Sequence, residues 1–304
     1  MIQTLEALRD AVKGQGSKTL AVAAAGDAEV LLAVDMARRL GIASAILVGD
    51  EEKIRTIAAQ RQIPLEAYRL IPEADPVQAC RTAVKLVRDG EADVVMKGLV
   101  DTSVILKAVL DKEIGLRKSP VLSHVALFQV AGYDRLFYVT DVAMNIAPDL
   151  ETKKHIIRNA VGVAHALGNP DPIVACLCAV EKVNPKMPAT LEAAALVEAC
   201  KAGELPGCRV VGPLALDNAV SPEAARHKGI QDPLAGHADV LLASNIETGN
   251  VFYKSLVFLA RAKNAGVIVG AKAPVVLTSR ADSDEAKLNS IALALMISAS
   301  NLPR

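Results

Sequence analysis

The sequence predicts an α/β protein with a mostly parallel sheet, organised in two domains, and three observations support this. Short β-branched runs alternate with longer stretches of helical periodicity, the apolar residues are almost all aliphatic, and 304 residues is about two domains' worth of chain. Strand–helix–strand alternation implies right-handed crossovers and parallel neighbours. Hydrophobic residues make up 52% and charged residues 22%, which suffices for a folded core. Aromatic residues are only 3% and Trp is absent, so Ala, Val, Ile and Leu must fill that core, as they do in sheets covered by helices on both faces.

In chain order, buried strands are expected at Thr19–Ala23, Ala45–Val48 and Asp93–Met96. Two apolar runs, Val121–Val130 and Leu136–Val139, flank Ala131-Gly132-Tyr133-Asp134-Arg135 and read as a hairpin. A domain boundary is placed just after it, near Thr140. From Glu151 to Leu167 the residues Ile156, Ile157, Ala160, Ala164 and Leu167 share one helix face, and Gly168 and Pro170 end the helix. Further strands follow at Ile173–Leu177, Arg209–Val211, Asp239–Leu242, Val267–Val269 and Pro274–Leu277. Helices are expected over Phe252–Ala262 and Ser283–Asn301, the latter opened by an Asp282-x-x-Glu285 pattern like a capping box.

Composition narrows the function classes. Lys plus Arg equals Asp plus Glu, 34 against 34, so nothing electrostatic favours nucleic acid or a membrane surface. Cys80, Cys176, Cys178, Cys200 and Cys208 are odd in number and follow no disulfide or zinc spacing. Met1–Glu6 lacks the basic and apolar regions of a secretory signal, and the cytoplasm is the expected compartment. Gly16-Ser17-Lys18-Thr19 mimics the end of a phosphate-binding loop, but position 11 is Ala and a strand follows where a helix is required. No G-x-S-x-G or H-E-x-x-H occurs. Cys176 and Cys178 read as two small buried side chains on one strand face.

Three stretches place polar residues at the ends of expected strands, where open α/β sheets bind ligands. The first is Met96–Ser103, with Asp101 or Thr102 as a helix cap and Lys107 one turn on; it is either a capped turn or an anion contact. The second is Ser244–Asn250, where Gly249 permits a tight turn before a helix whose N-terminus would favour phosphate, or where Asn250 is simply the cap. The third is Leu277–Glu285. There Arg280 either grips phosphate through two parallel hydrogen bonds or pairs with a neighbouring Asp. Together they point to an anionic ligand.

Lys97-Gly98-Leu99-Val100-Asp101-Thr102, Thr140-Asp141-Val142-Ala143-Met144-Asn145, Thr248-Gly249-Asn250 and Ser279-Arg280 resemble, in order and spacing, the phosphate acetyl/butyryltransferase family. Val180–Pro188 and Gly212–Val220 are similar to its butyryltransferase branch. The resemblance spans almost the whole chain. It implies two α/β/α domains in the isocitrate/isopropylmalate dehydrogenase-like arrangement with an interdomain cleft. Residues 1–139 plus a returning 286–304 would form the first domain and 140–285 the second. It implies a homodimer or higher homo-oligomer, acyl-CoA and inorganic phosphate as substrates, and no separate cofactor or metal. Phosphate would attack the thioester directly in a ternary complex. Ser279 would hydrogen-bond the coenzyme A sulfur, and Arg280 would hold phosphate and offset charge on the thioester oxygen. Asp101, Thr102, Lys107, Thr248, Gly249 and Asn250 would bind phosphate or coenzyme A.

One position departs from the family: where acetyltransferases carry an Asp six residues after the Arg, this chain has Ala286. An acid–base role, if needed, would fall to Asp282, Asp284 or Glu285. Two other readings remain open, a nicotinamide-linked dehydrogenase of the same broad fold and a non-catalytic acyl-CoA sensor. The first expects closely spaced metal-binding Asp residues, which the sequence lacks; the second is opposed by the intact Ser279-Arg280 pair.

Overall fold

A computed structural model of the chain describes residues 1–13, 18–277 and 282–300. Among these the strands are β1 (Thr19–Ala23), β2 (Ser44–Gly49), β3 (Arg69–Pro72), β4 (Val94–Lys97), β5 (Ser123–Gln129), β6 (Phe137–Thr140), β7 (Ile173–Leu177), β8 (Arg209–Leu214), β9 (Val240–Leu242), β10 (Lys263–Val269) and β11 (Val275–Val276). Helices fill most intervals, and the fold is mixed α/β. The chain divides into two compact units. One is Leu5–Pro120 with Asn264 onward, and the other is Val121–Lys263 with Met1–Thr4.

The first unit orders its strands β3-β2-β1-β4-β11-β10. All neighbours are parallel except β10 and β11, where Ile268 lies opposite Val275. Leu20 to Ala23 are buried, as befits strands covered on both faces. The helices that follow β1, β2 and β3 start at aspartates. Asp27 accepts from the Val30 amide (3.0 Å), Asp50 from Lys53 (3.1 Å) and Asp75 from Val77 (2.8 Å). Each such cap contributes about 1 kcal/mol. The helix Asp284–Ala299 packs against the helices Leu5–Lys13 and Ala28–Arg39. Its Ser290 hydroxyl accepts from the Gly266 amide at 2.9 Å. The expected Asp282/Glu285 capping box is not what opens this helix. Ser283 is already extended and takes the amide of Ala286 at 3.2 Å, and Ala286 has no side chain to reciprocate.

The second unit orders its strands β5-β6-β9-β7-β8. The hairpin β5–β6 is antiparallel with Phe128 opposite Phe137, and the remaining pairs are parallel. Seven of the eight aromatic residues fall in this unit, Tyr68 being the exception. Phe128 packs on Phe137 (5.8 Å) and on Tyr253 (5.5 Å), so the core here is more aromatic than composition implies. The helix Leu150–Ala166 starts at Asp149 and ends before Gly168, whose φ of +84° favours glycine.

The unit boundaries differ from the expected 1–139 plus 286–304 and 140–285. Strand pairing is the reason. The hairpin joins the later strands through β6 and β9, with Val139 beside Leu241. β11 inserts beside β4, with Val275 next to Val95, and carries β10 with it. Met1–Thr4 join the second unit, the Ile2 amide donating to the Leu167 carbonyl at 2.9 Å.

Candidate active site

In the first unit β4 ends at Lys97, whose ammonium donates to the carbonyls of Gly98 (3.2 Å) and Val100 (3.1 Å). Gly98 is required by close approach, because a Cβ there would fall 2.2 Å from the Ala24 carbonyl oxygen. Asp101 occupies the cap position of the helix Thr102–Val109, but its side chain bonds no helix amide, so it is not a cap in the usual sense. Asp101 and Thr102 are exposed at the strand's C-terminal edge, where a ligand could meet them. Lys107 is exposed in the last turn of that helix, about 7.5 Å further along the axis.

Ser279 and Arg280 lie outside the described residues. The three carboxylates beside them in sequence are differently engaged. Asp284 sits 3.7 Å from the buried Lys287 ammonium, and Glu285 sits 3.6 Å from Arg9. The Lys287 ammonium also donates to the Asp282 backbone carbonyl at 2.9 Å and lies 3.6 Å from Glu29. Two of the three candidate bases are therefore already neighbours of cations.

In the second unit the turn after β9 differs from its expected form. The helix begins at Ile246, six residues earlier than expected, and runs to Lys254. Asn245, not Asn250, is the cap, accepting from the Thr248 amide at 2.9 Å. Thr248, Gly249 and Asn250 thus lie on the first turns of a helix. The amides at the helix start are also partly used: Ile246 donates to the Ile146 carbonyl (3.0 Å) and Gly249 to that of Asn245 (3.1 Å). An anion here would rely on the exposed Thr248 and Asn250 side chains more than on bare amides. Ser244 is 3.4 Å from the Thr248 hydroxyl.

Ser244 also lines a small pocket, partly open to solvent, at the C-terminal edge of β7 and β9. Lys153, Cys176, Glu192 and Leu242 contribute to its walls. Lys153 is buried and ion-paired with Glu192. Burial pushes the Cys178 thiol up to about 11, which keeps it a poor nucleophile.

Two features escaped sequence reasoning. Lys153, in the helix Leu150–Ala166, is buried, and the Glu192 carboxylate that pairs with it is 39 residues away in sequence. Asp141 lies in a recognised string but had no assigned role. It is buried, and its carboxylate accepts the amides of His124 (3.2 Å), Ala143 (3.0 Å), Met144 (3.2 Å) and Asn145 (3.0 Å), together with the Asn145 side-chain amide (2.6 Å). Desolvation holds the imidazole of His124 down at about 4, against the opposing pull of Asp141. The two butyryltransferase-like strings touch one another, since Glu181 accepts from Asn218 (2.5 Å) as well as from Lys228 (2.6 Å). Among the described residues no three His, Cys, Asp or Glu side chains converge as a metal site, and no helix is long and apolar enough to cross a membrane.

A family model described as phosphate acetyl/butaryl transferase matches residues 74–295. The phosphate butyryltransferase of Clostridium acetobutylicum is 50% identical over 297 residues, covering 98% of this chain and 99% of that protein. The phosphate acetyltransferase of Thermotoga maritima is 46% identical over 290 residues, covering 95% and 98%. A solved branched-chain phosphotransacylase from Enterococcus faecalis superposes with a TM-score of 0.84 at 36% identity, covering 92% of this chain and 99% of that one.

Proposed function

The chain belongs to the phosphate acetyl/butaryl transferase family, and from that premise we propose that it exchanges a butyryl group between coenzyme A and inorganic phosphate. The observation that carries the reading is the 50% identity to a phosphate butyryltransferase along nearly the full length of both chains. The strings Val180–Pro188 and Gly212–Val220, linked through Glu181 and Asn218, support the butyryl branch.

In this reading a phosphate oxygen attacks the thioester carbonyl carbon. A C–O bond forms, the C–S bond breaks, and the electron pair leaves on the coenzyme A sulfur. Arg280 would bind phosphate bidentately and offset charge developing on the carbonyl oxygen, and Ser279 would hydrogen-bond the departing thiolate. Phosphate is already an anionic nucleophile, so this direction asks little of a base. The reverse direction needs a thiol of pKa about 8.5 to lose its proton. Ala286 cannot accept it, and Asp282, Asp284 and Glu285 are the carboxylates nearest in sequence. Thr248, Gly249, Asn250, Asp101, Thr102 and Lys107 complete the proposed binding set for phosphate and coenzyme A. The isocitrate/isopropylmalate dehydrogenase-like arrangement, a homodimer, cytoplasmic location and independence of metal or nicotinamide belong to the same reading and rest on the family resemblance.

The butyryl assignment is tested by comparing kcat/KM for butyryl-CoA and acetyl-CoA. Each buried methylene is worth roughly 0.8 kcal/mol, so a preference for butyryl of about tenfold is expected. A higher kcat/KM for acetyl-CoA would move the chain to the acetyl branch.

A further inference from the structure

We infer that Asp141 is a positioning residue for the phosphate-binding turn Thr248–Asn250; the inference rests on the proposed function of that turn. Asp141 is 3% exposed, and among the described residues no Lys or Arg pairs with it. Its two oxygens act only as acceptors, for five N–H groups. Four of those five belong to the segment Ala143–Asn145 immediately downstream, and the fifth is the His124 amide. A buried carboxylate compensated this way fixes the path of the loop that supplies its donors.

That loop is the bed on which the helix start lies. The Val142 carbonyl accepts from the Asn250 side chain at 3.2 Å, and the Ile146 carbonyl accepts from the Ile246 amide at 3.0 Å. Gly249 rests on Asp141 itself. A Cβ at Gly249 would fall 2.2 Å from the Asp141 carbonyl oxygen and 3.1 Å from the Val142 Cα. Three of the first five helix residues therefore take their position from the loop that Asp141 orders. Asn145 reinforces the arrangement, its side chain bridging the Asp141 carboxylate and the Leu122 carbonyl (2.9 Å).

Asp141→Asn keeps the shape but replaces one acceptor oxygen with a donor facing other donors. The expected result is a rise of about tenfold or more in KM for phosphate, since a misplacement of about 1 Å in a positioned group can cost on the order of 100-fold. KM for butyryl-CoA should change less than about twofold, within the effect of a single exposed contact. Asn145→Ala, a milder change that removes one donor, should shift KM for phosphate in the same direction by a smaller factor, and it decides the matter if Asp141→Asn does not fold. A wild-type phosphate KM in a folded variant overturns the inference. So does a parallel rise in both KM values with a lowered Tm, which marks a merely structural role. Thr248→Ala serves as the control. If it leaves KM for phosphate unchanged while the wild type turns over with phosphate, the turn is not the phosphate site, and the inference falls with it. Absence of phosphate-dependent turnover in the wild type would instead refute the proposed function itself.

Discussion

Arg280 is the residue on which the proposed chemistry leans most, and its geometry matters as much as its charge. A guanidinium presents paired N–H groups that match phosphate, whereas an ammonium is a point charge. Arg280→Lys should therefore damage turnover nearly as much as Arg280→Ala, and a near-wild-type KM for phosphate in the Lys variant would remove Arg280 from the site. A second residue-scale expectation concerns His124. Burial holds its imidazole neutral in the folded chain down to about pH 4, whereas in the unfolded chain it binds a proton near pH 6.5. The unfolded state then binds more protons between those values, so this contribution is full above about pH 6.5 and is lost as pH falls toward 4. Urea unfolding at pH 7.5 and pH 5 should show a smaller loss of stability on acidification in His124→Gln than in the wild type. Equal losses would show that His124 is not a source of the acid sensitivity. Sequence reasoning nominated the charged and hydroxyl residues of the proposed site because they stand in recognisable strings. It could not reach Asp141's role, since the five donors that define it are visible only once the chain is folded.

Element by element, the strands were the most legible part of the sequence, because β-branched runs of four to six residues bounded by polar turns have few other uses. β3 (Arg69–Pro72) was missed: none of its residues is buried, and Leu70 and Ile71 are too short a run to signal a strand. The helix at Ile246–Lys254 was displaced because Gly249 and Asn250 suggest a turn, whereas Asn245 provides the cap and Gly249 is needed for close packing on Asp141. The last helix was placed correctly to within a residue or two, but Ser283 rather than Asp282 caps it. Gly98 shows the same principle at the end of β4, where the glycine answers to a neighbouring backbone and not to local dihedral preference. Gly98→Ala should destabilise the fold by about 1–3 kcal/mol, because the obstacle is the Ala24 carbonyl and not a flexible side chain. Urea denaturation measures it, and an unchanged midpoint would mean that the β1 and β4 ends separate freely.

For the whole molecule, two-part organisation was readable from length and alternation, but the points of division were not. They depend on long-range pairing, β6 with β9 and β11 with β4, and no local signal in Phe137–Thr140 or Val275–Val276 announces a partner about 100 or 180 residues distant. The aromatic residues likewise concentrate in one unit, a fact that overall composition conceals. Function was legible at this scale through the family strings, which lie between Lys97 and Arg280 and agree with the near-full-length identity to a phosphate butyryltransferase. The central claim is acyl transfer to phosphate, and the most direct test is the release of free coenzyme A thiol from butyryl-CoA with and without inorganic phosphate. Thiol release is expected to depend on phosphate, to saturate with it and to be matched by the butyryl phosphate formed. Thiol release at the same rate without phosphate would instead show hydrolysis and rule out acyl transfer to phosphate.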